Sequence, residues 1–253
     1  MSRIDLHAHS NRSDGTFTPA EVVQLAVGAR VGVEVVPGVE LSAEYEHTSV
    51  HVLCYWMDPA SDELQAELAR LHDERFRRGE LMVERLQALG LPVTFERVRQ
   101  LAAGDNIVRP HIAQAMVEAG VVATEQEAFD RYIADGRPAH VAKHALDPVD
   151  AVGLIGRAGG VCVLAHPGMW GDESSVPQPL IEAMAAAGMS GIEVDHTDHP
   201  TEQREHYRAL AARLGLVATG GSDCHGTRYE PVRLGTSLCD PPAFAELRAR
   251  AGR

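Results

Sequence analysis

From residue 137 onward the chain repeats one unit: a short apolar run, a polar residue at its end, then a helical pattern. Apolar spacing and turn residues make 150–156 helical, 161–165 a strand, 179–187 a helix and 192–194 a strand. They make 202–214 a helix and 217–219 a strand. This alternation predicts an α/β fold with a parallel sheet. The first sixty residues fit the same rhythm. Residues 18–28 form a helix that Thr18 can cap, with Pro19 in the first turn and Glu21 three residues after the cap. Residues 33–39 and 50–56 are β-branched or apolar runs and predict two strands.

Between them the texture changes. "DELQAELARLHDERFRRGELMVERLQALG" carries Leu64, Leu68, Leu71, Leu81, Val83, Leu86 and Leu89 at helical spacing. "RPHIAQAMVEAG" and "EQEAFDRYIADG" read as further helices closed by glycine. The expected organisation is an α/β body of residues 1–60 and 137–253, interrupted by a helical insertion over 61–136. The insertion is expected to cover the edge of the sheet that carries the polar residues.

Those polar residues are the second constraint. In "IDLHAHSNRSDG", His7 and His9 are two residues apart after an apolar pair, so a strand would point both to one side, with Asp14 close behind. Glu40 follows "VVPGV", His51 sits in "HVLCYW", His166 follows "GGVCVLA", and Asp223 and His225 follow "LVATGGS". In α/β folds the carboxyl edge of the strands is where sites assemble. One histidine at a strand end is usually a satisfied structural residue. Five such placements pointing the same way predict a metal centre. Imidazoles and carboxylates without thiolates suit Mn, Fe or Zn. The candidates outnumber one four-coordinate shell, so two or three divalent ions are expected, with Glu40 as the bridge.

Composition excludes several alternatives. The formal net charge of −13 argues against a broad basic groove for duplex DNA. Cys54, Cys162, Cys224 and Cys239 form no paired motif, which argues against a zinc ribbon and suits a reducing, cytoplasmic setting. The His motif begins directly at the N-terminus, and no apolar run approaches a membrane span.

The ordered segments "DLHAHSNRSDGTFTPAEVVQLA", "VVPGVELSAEYEHTSVHVLCY", "GGVCVLAHPG" and "GGSDCHG" resemble the PHP (polymerase and histidinol phosphatase) family of metal-dependent phosphoesterases. The resemblance spans nearly the whole chain. It implies a distorted seven-stranded β/α barrel. It implies that His7, His9, Glu40 and Asp223 hold one metal, that Glu40, His51 and His166 hold a second, and that Asp14 and His225 contribute to a third. "IVRPHIAQAMVEAG" and "GRPAHVAK" resemble the insertion of the branch acting on nucleotides and short oligonucleotides. That likeness implies phosphate contacts at Arg109 and His111, a further one at Lys143, and a substrate role for His199 in "IEVDHTDHP". Read without it, Arg109 and His111 are the charged start of a helix and Lys143 a surface lysine.

One departure stands out. The family has a second strand ending in Thr-Asp-His-Asp, whose histidine binds metal. Here the first helix runs almost directly into "VGVEVVPGVE". A β/α unit takes about 30 residues, and one is missing. Because every other ligand is kept, the expectation is a segment omitted from this sequence rather than a unit lost with its function. The expected activity is hydrolysis of a phosphate ester on a nucleotide of the 3′,5′-bisphosphate type or on a short oligonucleotide. The alternatives are a small-molecule phosphatase like histidinol phosphatase, and a non-catalytic module that binds metal and nucleotide. The oligomeric state is not legible.

Overall fold

The computed structural model describes residues 3–27, 33–46, 48–102, 106–142, 145–169, 175–228 and 230–253. The chain divides into two compact units, Met1–Gln65 with Ala145–Arg253, and Ala66–His144.

The first unit is α/β. Its described strands are β1 (Gly38–Tyr45), β2 (Thr48–Tyr55), β3 (Val161–Leu164), β4 (Gly191–His196) and β5 (Val217–Gly221). They form one sheet in chain order. Helix α1 (Pro19–Val27) starts as the sequence predicts: Glu21 N–H donates to Thr18 Oγ1, and Thr18 N–H donates back to Glu21 Oε2. The expected strand over 33–39 is displaced. β1 begins only at Gly38, so Glu40 lies inside the strand rather than beyond its end.

The sheet is mixed, not parallel. β1–β2 and β2–β3 pair antiparallel, while β3–β4 and β4–β5 pair parallel. Two residues link Tyr45 to Thr48, a connection that only an antiparallel hairpin can use. Further along, each parallel step is made by a helix. Residues 4–9 run beside β5 without becoming a ladder strand. A parallel bridge joins Ala8 to Cys224, and His9 N–H donates to the Cys224 carbonyl at 2.8 Å. Leu6, Leu53, Val163, Ala165 and Val217 share one apolar core beneath them. Among the described residues the sheet has five strands.

The second unit is helical. It contains most of α2 (Asp62–Ala88), then α3 (Phe95–Leu101), α4 (Arg109–Glu118) and α5 (Glu125–Ala128). α5 passes into a wider π turn over Phe129–Ile133, where one long helix was expected. α3 was not read from the sequence; Thr94 caps it by accepting from Arg97 N–H. Met82, Leu86, Val98, Ile107, Ile112, Met116 and Ile133 form the core of this unit. Its end extends past residue 136 because Arg78 donates to the Val141 carbonyl and Arg85 to that of His140.

Back in the first unit, α6 (Pro148–Arg157) is capped by Asp147, which accepts from Val149 and Asp150 N–H. α7 (Gln178–Ala186), α8 (Thr201–Leu214) and α9 (Pro241–Arg250) complete the described helices.

Candidate metal centre

All eight residues singled out as ligands lie in the first unit and meet in one pocket. Four sets of three bring their ligand atoms within 4.8 Å of one another: His7/His9/Glu40, His7/His166/Asp223, His9/Asp14/His225 and Glu40/His51/His166. The sets overlap, so the pocket is one cluster. Glu40 belongs to two of them. Its oxygens lie 2.9 Å from His51 Nδ1, 3.2 Å from His166 Nε2 and 3.3 Å from His9 Nε2.

The fold explains the convergence. Glu40 and His51 project from the same face of the β1–β2 hairpin. His166 follows β3, and Asp223 and His225 follow β5. His7 and His9 come from the segment beside β5, with their Nε2 atoms 3.1 Å apart. His166 and Asp223 adopt φ of 23° and 49°, a region that non-glycine residues rarely occupy. Strain of this kind costs roughly 1–3 kcal/mol per residue and clusters at functional sites.

The donor set fits divalent cations. Asp223 Oδ1 is buried and makes no hydrogen bond, although His7 Nε2, His9 Nε2 and His225 Nδ1 lie 3.2, 3.1 and 3.4 Å away. His51 Nδ1 likewise makes none, despite its closeness to Glu40. Lone pairs that converge without bonding one another are arranged for a shared cation. Electrostatics agree. Burial resists charge on Glu40, yet His51 and His166 hold its carboxyl well below the usual range. Burial also opposes charge on His7, but Glu193 and Glu40 raise its pKa well above the ordinary value.

Two members of the pocket were missed in the sequence. Glu193, in β4, is 1% exposed and contacts both His7 and His166. The available signal was a carboxylate between Ile192 and Val194 in a strand too short and buried to tolerate an unused charge. His196 is fully buried, with Nε2 at 3.8 Å from Asp223 Oδ2.

His199 stands beside His196, with ring centroids 5.4 Å apart. His199 is buried; its Nδ1–H donates to the Val194 carbonyl and its Nε2 accepts from Gly168 N–H. Both ring nitrogens are thus engaged by backbone, which leaves His199 no nitrogen for a phosphate in this arrangement. Arg109 and His111 open α4 in the second unit. Arg109 pairs with Asp135 at 2.8 Å and lies over the Phe129 ring; His111 Nδ1 accepts from Val108 N–H. Lys143 lies outside the described residues.

Comparison with known proteins agrees with the site. No family model matches the chain. A 3′,5′-nucleoside bisphosphate phosphatase of Chromobacterium violaceum is 33% identical, with 99% of this chain and 98% of that protein covered. That alignment runs over 279 positions, more than the 253 residues here, so part of the relative has no counterpart in this chain. The 5′-3′ exoribonuclease Rnm of Salmonella typhimurium is 30% identical, over 87% of this chain and 84% of that one. A crystal structure from Bifidobacterium adolescentis, described as a metal-dependent phosphoesterase, superposes with a TM-score of 0.88 at 32% identity, covering 98% of both chains. With its ligand cluster and this likeness along its whole length, the chain belongs to the PHP-type metal-dependent phosphoesterases.

Proposed function

We propose that the protein hydrolyses a phosphate ester on a nucleotide, of the 3′,5′-bisphosphate type, or on a short oligonucleotide. The carrying observation is the overlap of four ligand triads around Glu40, His7, His9 and His166. The names of the relatives supply the substrate class. The donor set favours two or three ions of Mn, Fe or Zn. Bound there, divalent ions would lower the pKa of a water and neutralise charge on phosphoryl oxygens.

The chain's own contribution is placement. Glu40 offers two oxygens, each with its own imidazole neighbours, and suits a bridge. His51 and His166 crowd one of those oxygens; His9 faces the other. We assign the substrate phosphate to Arg109 and His111, with Lys143. The first two stand at the start of α4, where backbone N–H groups and the helix dipole favour an anion. The Arg109–Asp135 pair is exposed on the Asp135 side, so exchanging that carboxylate for a phosphate costs little. A distorted seven-stranded β/α barrel, with one β/α unit missing from this sequence and residues 61–136 as a helical lobe, is the architecture we infer. The five strands and the segment beside β5 support it. The relatives' names support a small phosphorylated partner, the acidic net charge supports a substrate other than duplex DNA, and the cysteines without a paired motif support a cytoplasmic setting. No described helix is long and apolar enough to cross a membrane.

The test is a phosphatase assay with and without Mn²⁺ on 3′,5′-bisphosphonucleotides, short RNA and histidinol phosphate. Chelator-sensitive turnover of the first two supports the reading. Preference for histidinol phosphate, or metal binding without turnover, sinks it.

A further inference from the structure

We propose that Glu193 is a positioning residue for the metal centre: its one buried carboxylate fixes the tautomer of His7 and holds the backbone of His166. The role rests on the metal-centre reading above. Glu193 Oε1 and Oε2 lie 3.1 and 3.3 Å from His7 Nδ1, and Oε2 accepts the His166 N–H at 2.9 Å. Gly221 on β5 makes room for this arrangement. A Cβ there would fall 2.7 Å from Glu193 Oε1 and 2.4 Å from His7 Cβ.

An ionised carboxylate only accepts hydrogen bonds. His7 must therefore carry its hydrogen on Nδ1, which puts the lone pair on Nε2. Nε2 is the nitrogen that faces the cluster, 3.2 Å from Asp223 Oδ1 and 3.7 Å from Glu40 Oε1. The other contact acts on shape. His166 has φ of 23°, and the bond from its N–H to Glu193 helps offset the strain of that conformation. One side chain thus aims two ligands that come from different parts of the chain. A merely structural carboxylate would need neither this tautomer nor this pairing.

Glutamine separates the two cases. It has one acceptor oxygen where Glu193 must serve two donors. With that oxygen on His166 N–H, its NH₂ group faces His7 Nδ1 and favours the tautomer with hydrogen on Nε2. That nitrogen then has no lone pair to give.

The experiment uses zinc as the probe. Zinc affinity is measured by competition with a chromophoric chelator, and histidine ¹⁵N shifts are read in the zinc-loaded protein. In the wild type, His7 should be protonated at Nδ1 and zinc-bound through Nε2. Glu193→Gln should bind zinc roughly 10–100-fold more weakly, the usual effect of removing such a partner, and should still melt cooperatively in chelator. Affinity within twofold of wild type, or His7 bound to zinc through Nδ1, overturns the role. Should Glu193→Gln fail to fold, the wild-type shifts decide the matter alone. A wild type that binds no zinc overturns the metal-centre reading and this role with it. A wild type that binds zinc as tightly as Glu193→Gln does overturns only the role of Glu193.

Discussion

Glu40 and His51 face each other diagonally across the β1–β2 ladder, with Oε1 2.9 Å from Nδ1 and no hydrogen bond between them. Register explains it: Glu40 pairs with Leu53 and His51 with Ser42, so the two side chains sit on one face two residues apart. The opposite face, with Leu41 and Ala43, is buried among apolar side chains. The hairpin therefore presents two candidate ligands with its backbone already satisfied by the ladder.

Glu40→Gln keeps this shape and removes the charge. We expect metal content and Mn²⁺-dependent phosphatase rate to fall while the fold persists, because the core beneath is apolar. In chelator the variant should melt below the wild-type temperature, since the neighbouring His51 and His166 stabilise the ionised Glu40 in the fold and glutamine cannot carry that charge. Metal analysis, rates and melting curves check this. Unchanged metal content and rate would remove Glu40 as the bridge.

Gly221→Ala tests the close approach of β5 to residues 4–9. The added Cβ would lie 2.4 Å from His7 Cβ and 2.7 Å from His7 N, and backbone cannot yield as a flexible side chain can. Overpacking of this kind costs about 1–3 kcal/mol, and here it also displaces His7, a candidate ligand. We expect lower stability and weaker zinc binding together. Gly156→Ala, in α6 with nothing within 4 Å of the new Cβ, should be neutral or slightly stabilising. Equal behaviour of the two variants would count against the packing argument.

Much of this centre was legible because ligands at strand ends break an apolar pattern visibly. His166, Asp223 and His225 stand out after "GGVCVLA" and "LVATGGS". The position of Glu40 was misread for a physical reason. "VGVEVVPGV" is rich in β-branched residues and suggests a strand, yet β1 starts at Gly38 and takes its alternation from Val39, Leu41 and Ala43. Sheet direction was misjudged because Glu46, at φ of 44°, occupies a turn position that Gly, Asn or Asp usually marks. Glu193 was missed because its partners, His7 and His166, are 186 and 27 residues away. No local pattern encodes contacts of that range.

Arg109→Ala should leave metal content unchanged and lower catalytic efficiency on a nucleotide substrate. A hydrogen bond to a charged group contributes about 1.5–3 kcal/mol, which corresponds to roughly 10–150-fold in kcat/KM. Asp135→Asn removes the carboxylate that competes for the same guanidinium, and should raise efficiency slightly. Equal kcat/KM for wild type and Arg109→Ala would exclude the phosphate contact.

Metal removal should destabilise the folded protein in an ion-selective way. Without cations the pocket holds an unbonded Asp223 Oδ1, an unbonded His51 Nδ1 and two strained backbone positions. Cations repay these costs only in the folded state, where the ligands are assembled. An ion at 100 times its Kd stabilises by about 2.7 kcal/mol. For a chain of this length each kcal/mol is worth about 2–4 °C, so the melting temperature should rise by roughly 5–10 °C. Imidazole-rich sites favour Mn²⁺ or Zn²⁺ over Ca²⁺ and Mg²⁺, which prefer oxygen donors. Thermal melts in chelator, Mn²⁺, Zn²⁺, Ca²⁺ and Mg²⁺ should therefore separate the first pair of ions from the second. His51→Ala should shrink the Mn²⁺ shift, because His51 belongs to the Glu40/His51/His166 set while its side chain is partly exposed and contributes little to the apolar core. A uniform shift for all four ions, or none for any, would mean that the cluster is not a metal centre.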